Sequence, residues 1–206
     1  MKDLLLIGAG GHAKVVADII LKNEEYKIIG LIAQKQEDGF WGIPVIGNDD
    51  CLQELYEKGV SHAFVAIGDG RVREKLTKIL KEIGYEIINV ISNQAVVSST
   101  VKLGKGIVIM PGAVVNADTV IEDGCIINTN SSVDHDNCIG RFTHIAPGSA
   151  IAGFNKIGRN CFLGTGCRII DKIQIGDNSV VGAGCVVIKD IAGNCTVVGV
   201  PAQIIK

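Results

Sequence analysis

The sequence has no excess of charge of either sign. Its 206 residues include 20 Lys and Arg against 22 Asp and Glu, which gives a formal net charge of -2. A strongly basic face for nucleic acid or an anionic membrane is therefore not expected. Apolar runs are short, and the apolar residues within 1–7 are typical of a strand rather than of a signal peptide. We expect a cytoplasmic protein with no nucleic-acid partner and no membrane partner.

The sequence is also poor in aromatic residues (4%) and has no C-x-x-C motif, although it contains seven cysteines. The odd number and the absence of metal-type spacing favour reduced, structural thiols over disulfides. Only two histidines, His135 and His144, lie in the second half of the chain. A catalytic zinc site of the three-histidine kind needs one more ligand, so no metal is expected.

The most regular feature is a six-residue repeat between residues 97 and 187. Sixteen successive positions of this repeat are aliphatic: Val97, Leu103, Ile109, Val115, Ile121, Ile127, Val133, Ile139, Ile145, Ile151, Ile157, Leu163, Ile169, Ile175, Val181 and Val187. A second series lies two residues earlier in each repeat and is mostly small: Ala113, Thr119, Cys125, Ser131, Thr143, Ser149, Cys161, Cys167, Ser179 and Cys185. Ile107 and Ile173 are its bulky exceptions.

A period of six fits neither an α-helix of 3.6 residues per turn nor a plain two-residue strand alternation. It indicates short extended faces joined by bends, with each aliphatic side chain stacked inward on its equivalent in the next coil. The pattern resembles the left-handed parallel β-helix of the hexapeptide-repeat acyltransferases. Three faces per coil give about five coils. We assign this β-helix domain to residues 94–206.

The N-terminal part predicts a small α/β domain. A buried strand (residues 3–7) leads through the glycine turn Gly8–His12 into a helix (13–22) and a second strand (27–32), an arrangement that presents backbone N–H groups to a phosphate. A dinucleotide-binding motif also needs an acidic residue after the second strand, where Ala33 and Gln34 stand, which argues against NAD. The glycine turn is open to a packing-only interpretation, and His12 to one as a cap of the turn.

The remaining elements of this domain are a polar loop (35–47), a helix (49–58), a strand (62–67), a helix (73–83) and a strand (86–90). The turn Gly68–Arg71 follows the third strand, at the edge of a parallel sheet where ligands bind. Arg71 and Arg73 either meet a phosphate there or belong to a solvated first helical turn. We assign residues 1–93 to a Rossmann-like nucleotide-sugar-binding domain.

His135 is the strongest candidate for a catalytic group in the repeat. It lies between Asp134 and Asp136, and a carboxylate on one ring nitrogen would fix the tautomer and raise the basicity of the other. The alternative is an ordinary exposed histidine. His144 follows nine residues later, half a coil away, so the two side chains should project from different faces. They can meet only between subunits, which predicts a homotrimer with shared active sites.

Several motifs occur together and in order: Gly8–His12, Ile67–Asp69, Ile127–Asp136, Thr143–His144, Ala152–Gly153 and Val198–Ala202. In this combination the chain resembles the family of sialic-acid O-acetyltransferases and bacterial sugar N-acetyltransferases that modify UDP-4-amino sugars. The resemblance spans essentially the whole chain. It implies an acetyl-CoA-dependent N-acetyltransferase acting on a UDP-4-amino-4,6-dideoxy sugar in glycan or glycoprotein biosynthesis.

The resemblance also implies a role for each matching residue. His135 would be the general base, Asp136 would orient it, and the Gly153 N–H would stabilise the thioester oxyanion. The coenzyme would be bound by His144 of the adjoining subunit, by Gly153, by the backbone around Thr165 and Ala183, and by Gly199–Ala202 at the end of the groove. The nucleotide sugar would be held by Gly10, Gly11, His12 and Gly68, with Ala33 and Gln34 where the family often carries an acidic pair.

Two other functions remain open at this stage. The same base would serve O-acetylation of a sialic-acid-like sugar. A non-catalytic nucleotide-sugar-binding scaffold would not need the histidines of the repeat. Direct transfer is favoured over a covalent intermediate, because nothing marks Cys138, the thiol nearest His135 in sequence, as a nucleophile.

Overall fold

A computed structural model of the chain describes residues 1–34 and 38–206. The chain folds into two compact units, Met1–Val90 and Ile91–Lys206. The division lies three residues before the expected boundary at 93/94. Within the described ranges, no helix is long and apolar enough to cross a membrane.

The first unit is a five-stranded parallel sheet flanked by helices. Its strands are β1 (Lys2–Ile7), β2 (Tyr26–Ile32), β3 (Val45–Gly47), β4 (His62–Val65) and β5 (Glu86–Ile87), in the order β3-β2-β1-β4-β5. Its helices are α1 (Gly11–Asn23), α2 (Leu52–Glu57), which follows a 3₁₀ turn at Asp49–Cys51, and α3 (Gly70–Ile83). The middle strand β1 is the one predicted to be buried on both faces, and its last four residues are fully buried.

Three expectations for this unit are corrected by the structure. Val45–Gly47 forms strand β3 within the stretch expected to be a loop, because a partly exposed edge strand of three residues carries no detectable period. The strand expected over 86–90 ends at Ile87, and Val90 belongs to a separate strand, Val90–Ile91. Helix α3 begins at Gly70, three residues early, because the Asp69 carboxylate accepts the Val72 N–H. The start of the expected loop, 35–37, lies outside the described residues.

The second unit is a left-handed parallel β-helix of three sheets. Eight strands form one sheet: β6 (Val90–Ile91), β9 (Val108–Ile109), β12 (Ile126–Ile127), β15 (His144–Ile145), β18 (Phe162–Leu163), β21 (Val180–Val181), β23 (Thr196–Val198) and β24 (Gln203–Ile204). Six form another: β7 (Val96–Val97), β10 (Val114–Val115), β13 (Ser132–Val133), β16 (Ala150–Ile151), β19 (Arg168–Ile169) and β22 (Val186–Val187). Five form the last: β8 (Lys102–Leu103), β11 (Val120–Ile121), β14 (Cys138–Ile139), β17 (Lys156–Ile157) and β20 (Gln174–Ile175).

The hexad pattern is confirmed in register and in burial. Val115 pairs with Val133, and Val133 with Ile151, so one coil is 18 residues and each residue stacks on its equivalent in the next coil. The aliphatic series from Ile109 to Val187 forms a single buried cluster, and the small series is buried with it. Four cysteines occupy such buried corners, and all seven are free thiols. The expectation of reduced, structural cysteines therefore fits their positions.

Candidate active site

His135 lies in the turn that joins β13 to β14. Its Nδ1 is 2.8 Å from Asp136 Oδ2, and its backbone N–H donates to Asp134 Oδ1 at 2.9 Å. The hydrogen bond to Asp136 is the largest influence on the pKa of His135 and raises it; desolvation opposes this rise, and the charges of Asp134 and Asp136 add to it. With a proton on Nδ1 shared with Asp136, Nε2 is the nitrogen that can accept another proton.

Gly153 lies one coil later and directly against this imidazole. A Cβ placed on Gly153 would stand 2.7 Å from His135 Cε1 and 2.9 Å from Nε2. The ring of Phe154 meets the imidazole edge to face, with centroids 5.2 Å apart, and the Phe154 N–H donates to His135 O at 3.1 Å. The 18-residue coil thus brings the proposed base, its carboxylate and the proposed oxyanion glycine to one edge of the prism.

His144 lies on another face, in β15. Its Nε2 is 3.0 Å from Asn128 Nδ2, and Asn128 Oδ1 accepts the Thr129 N–H at 2.8 Å. Because Oδ1 is occupied in this way, the amide presents its N–H to His144 Nε2, which must act as the acceptor. With Nε2 as the acceptor, the ring proton of neutral His144 lies on Nδ1. The Phe162 ring packs edge to face on the imidazole, 5.2 Å away.

Thr165 and Ala183 lie in the turns that follow the next two strands of the His144 face, β18 and β21. Both are exposed, and they belong to neighbouring coils, where the Gly184 N–H donates to Thr165 O at 2.8 Å. The C-terminal turn packs close by, since the Ala202 N–H donates to Val186 O at 2.8 Å. Within one chain, these coenzyme candidates lie on a different edge of the prism from His135.

The first unit contains a cavity of about 500 Å³ at the carboxyl ends of β1, β2 and β4. All six predicted substrate residues line it: Gly10, Gly11, His12, Ala33, Gln34 and Gly68. A Cβ on Gly10, Gly11 or Gly68 would meet open space, so the glycines leave room for a ligand to approach the backbone. Gly8 is different, because its φ is +120° and a Cβ would stand 2.8 Å from Ala66 O.

His12 projects into this cavity from the first turn of α1. The N-cap of that helix is Gly10, so His12 does not cap the helix itself. Burial, and secondarily the positive charge of Arg73, lower the pKa of His12 to about 4. The imidazole is therefore neutral at pH 7, where it offers one donor and one acceptor.

Arg73 does not have either of its expected roles. Its side chain is 1% exposed, and its Nη1 donates to Ile67 O at 2.8 Å and to Gly68 O at 2.9 Å. The guanidinium therefore stabilises the turn after β4 from the buried side. It is not solvated, and it does not line the cavity. Arg71 is exposed and is not among the cavity-lining residues.

Asp49 is a cavity residue that the sequence did not indicate. The Gln34 Nε2 donates to Asp49 Oδ2 at 2.8 Å, and both side chains line the cavity where the family often has an acidic pair. A carboxylate thus reaches this position from the turn before α2, 15 residues further along the chain. Local sequence offered no signal for this, since Asp49 was assigned to a helix.

Other residues of the site were also missed by sequence reasoning. Phe154 and Asn128 contact the two histidines, and Asn137 lies buried beneath the His135 turn. An 18-residue offset from His135 would have led to Gly153 and its neighbour Phe154. A larger groove of about 920 Å³ runs along the five-stranded face, but it contains none of the predicted site residues. Among the described residues, no cluster of metal-ligating side chains occurs.

Comparison with known proteins extends these observations. Residues 3–80 match the PglD N-terminal domain, and residues 156–189 match the bacterial transferase hexapeptide (six repeats). PerB from Caulobacter crescentus, solved in complex with CoA and GDP-perosamine, is 40% identical with a TM-score of 0.95 over 100% of this chain and 98% of that chain. The acetyltransferase domain of PglB from Neisseria gonorrhoeae, in complex with acetyl coenzyme A, is 35% identical with a TM-score of 0.95 over 99% of each chain.

Curated relatives match over shorter stretches. UDP-N-acetylbacillosamine N-acetyltransferase of Bacillus subtilis is 33% identical over 112 residues, which are 53% of this chain and 52% of that protein. The uncharacterized protein L142 of Acanthamoeba polyphaga mimivirus is 35% identical over 49% of this chain and 20% of that protein. The chain therefore spans about half, or less, of the length of these two relatives.

The β-helix, with a histidine–carboxylate pair set against a glycine turn, defines a hexapeptide-repeat acyltransferase. The chain belongs to the family of hexapeptide-repeat sugar N-acetyltransferases, since a solved relative covering its whole length is 40% identical. The family resemblance, the fold class and the assignment as an acetyl-CoA-dependent enzyme are thereby confirmed.

Proposed function

We propose that this enzyme transfers the acetyl group of acetyl-CoA to the amine of a nucleotide-activated 4-amino-4,6-dideoxy sugar. The observation that carries the proposal is the His135–Asp136 pair packed against Gly153, on a fold whose solved relatives bind CoA and an amino sugar nucleotide. The sequence favoured UDP as the carrier. One relative is solved with GDP-perosamine and another is named for a UDP sugar, so both carriers belong in the test.

His135 supplies the base in this proposal. As the amine nitrogen forms a bond to the thioester carbonyl carbon, Nε2 takes the proton that the nitrogen loses. Asp136 stabilises the resulting imidazolium through the Nδ1 hydrogen bond of 2.8 Å. When the carbon–sulfur bond breaks, the same proton is available for the CoA thiolate. No covalent acetyl-enzyme is needed.

Gly153 supplies the oxyanion donor. Its backbone is in contact with the His135 ring, so a carbonyl oxygen bound by its N–H would lie beside the base. In the described part of the chain, the neighbouring N–H groups of Ala152 and Phe154 bond to backbone carbonyls, whereas that of Gly153 is not used in this way. An N–H already aimed at the developing charge needs no reorganisation during the reaction.

A homotrimer with active sites between subunits completes the proposal. The Thr165–Ala183 edge and the His135 edge are separate edges of one prism, so acetyl-CoA bound along the first needs a His135 from a neighbouring copy. The cavity that contains Gly10, Gly11, His12 and Gly68 is the proposed nucleotide-sugar site. A cytoplasmic location stays a prediction from the sequence.

The decisive experiment is release of CoA thiol from acetyl-CoA with UDP- and GDP-linked 4-amino-4,6-dideoxy sugars and their 4-hydroxy analogues. We expect turnover with an amino sugar only, and a loss of at least a hundredfold in kcat for His135→Ala. Turnover of the hydroxy analogues alone would replace N-acetylation by O-acetylation. Unchanged turnover by His135→Ala would remove the assigned base.

The shared site has its own test. His135→Ala removes the base, and Ala183→Trp would block the coenzyme edge, so each variant alone should be nearly inactive. Co-expression of the two should restore activity, because some interfaces then combine a normal His135 with a normal Ala183. Absence of complementation in mixed assemblies would contradict the shared site.

A further inference from the structure

The buried corner residues of the β-helix differ between its edges. Along the edge that carries His135 they are Thr119, Asn137, Asn155 and Ile173, and the corner residue of the first coil, Val101, is partly buried. Along the other two edges of the described coils, apart from Ile107, they are Ala, Ser, Thr or Cys. Asparagine therefore occupies this position at one edge only, in the two neighbouring coils whose turns carry His135 and Gly153.

The Asn137 side chain connects those two turns. It is fully buried, and its Nδ2 donates to Asp134 O at 2.6 Å and to Ala152 O at 2.9 Å. Its Oδ1 accepts the Asn155 N–H at 2.9 Å. A hydroxyl or thiol has one hydrogen and cannot donate to both carbonyls at once, so the amide adds a bond that the usual corner residues cannot make.

Ala152 O accepts a second hydrogen bond from a side-chain amide, since Asn155 Nδ2 donates to it at 2.7 Å. This oxygen belongs to the same peptide group as the Gly153 N–H. In a planar trans peptide the C=O and N–H point in opposite directions. Two buried donors that hold the Ala152 carbonyl toward the interior therefore direct the Gly153 N–H away from it, and they polarise the peptide so that the N–H becomes a better donor.

We infer that Asn137 is a positioning residue for catalysis: its amide holds the Ala152–Gly153 peptide in the orientation that presents the Gly153 N–H to the thioester oxygen. The inference rests on the proposed function, because it takes Gly153 as the oxyanion donor. Through Asp134 O, the same side chain also ties the turn that carries the base to the turn that carries the donor.

The chain itself supplies a matched pair of variants. Thr119 lies one coil before Asn137, and its hydroxyl donates to Asp134 O at 2.7 Å. Asn137 and Ala152 O stand in the same relation, since each acceptor lies 15 residues after its donor. Asn137→Thr should therefore keep a donor to Ala152 O. Asn137→Val should not, because valine has nearly the shape of threonine but no hydroxyl. Val101 shows that valine occurs at this corner.

We expect Asn137→Val to lower kcat about tenfold, with unchanged KM for both substrates. This is less than the 10²–10³-fold loss of removing an oxyanion donor, because Asn155 still holds the carbonyl. Asn137→Thr should stay within about threefold of the wild type. The acid limb of the pH–rate profile should not move in either variant, since the His135–Asp136 pair is untouched. If the valine variant does not fold, Asn137→Ala replaces it with the same expectation.

Ser179→Ala is the matched structural control. Ser179 is fully buried at another edge, and its Oγ donates to Gly176 O at 2.8 Å and lies 2.9 Å from Ala192 O. Its loss should lower Tm and leave kcat unchanged. Equal kcat values for the Asn137 valine and threonine variants, or a shift of the acid limb, would overturn the inference.

The two proposals fail in different ways. If His135→Ala is inactive while Asn137→Val has the wild-type kcat, the positioning role alone is wrong. If His135→Ala keeps full activity, the proposed mechanism is wrong, and the positioning role is overturned with it.

Discussion

The imidazole of His135 occupies the space that a side chain at Gly153, in the adjacent coil, would need. A β-carbon at residue 153 would lie 2.7 Å from Cε1, closer than real contacts allow. Gly153 is not among the glycines of positive φ, so its own backbone conformation does not demand a glycine. The requirement comes from the base that packs against it.

This contact predicts a dependence between the two positions. Gly153→Ala should destabilise the protein by about 1–3 kcal/mol, as overpacking usually does. In a His135→Ala background the same substitution should cost less than about 1 kcal/mol, because the ring that it strikes is absent. Chemical denaturation of the four proteins measures both values. An equal cost in the two backgrounds would show that the clash lies elsewhere.

Asp136→Asn should move the acid limb of the kcat/KM profile to lower pH. The Asp136 hydrogen bond is the largest cause of the raised pKa of His135, and an amide in its place no longer stabilises the imidazolium. The maximal rate should fall as well, since Nε2 becomes a weaker base. Lys172→Gln, which removes an exposed charge two coils further along the same edge, is the control and should leave the limb in place.

His12 should make the protein sensitive to acid. Its pKa is about 4 in the folded protein, against an ordinary 6.5, so the unfolded chain binds the proton first as the pH falls. The proton uptake of His12 therefore changes stability only slightly near pH 7, and it lowers the free energy of unfolding progressively as the pH falls from about 6.5 to 4, by up to about 3 kcal/mol. The free energy of unfolding of His12→Gln, measured from pH 7 to 4, should fall less than that of the wild type. Parallel curves would contradict the buried, neutral imidazole.

The two arginines of α3 should behave differently. Arg73→Met leaves the carbonyls of Ile67 and Gly68 without their buried donor, so we expect a loss of about 3 kcal/mol in stability and a raised KM for the nucleotide sugar. Arg71→Gln should change neither quantity appreciably, because this side chain is exposed and outside the cavity. If Arg71→Gln raised the KM for the nucleotide sugar and Arg73→Met did not, the roles given to the two arginines would be reversed.

The sequence by itself determined the architecture of the second unit. The hexad of inward aliphatic residues indicated stacked coils of short extended faces, and the family resemblance made the coil three-sided. The 18-residue register from Val115 to Val133 to Ile151 agrees with both. The sequence also determined the glycine turn after β1 and the placement of His135 between two carboxylates, Asp134 and Asp136, because these relations are local. Such patterns reflect backbone geometry over a few residues, which the chain carries in its own spacing.

Only the tertiary structure decided which distant groups meet. It placed Gly153 against His135, brought Asp49 beside Gln34, buried Arg73 under the turn at Gly68, and joined Asn137 to Ala152. The edge strand β3 also belongs to this class, since three partly exposed residues acquire a strand conformation only by pairing with β2. These contacts depend on how coils stack and strands align. Buried polar groups form hydrogen bonds with partners that are distant in sequence, and such pairs produce no periodic pattern in the sequence.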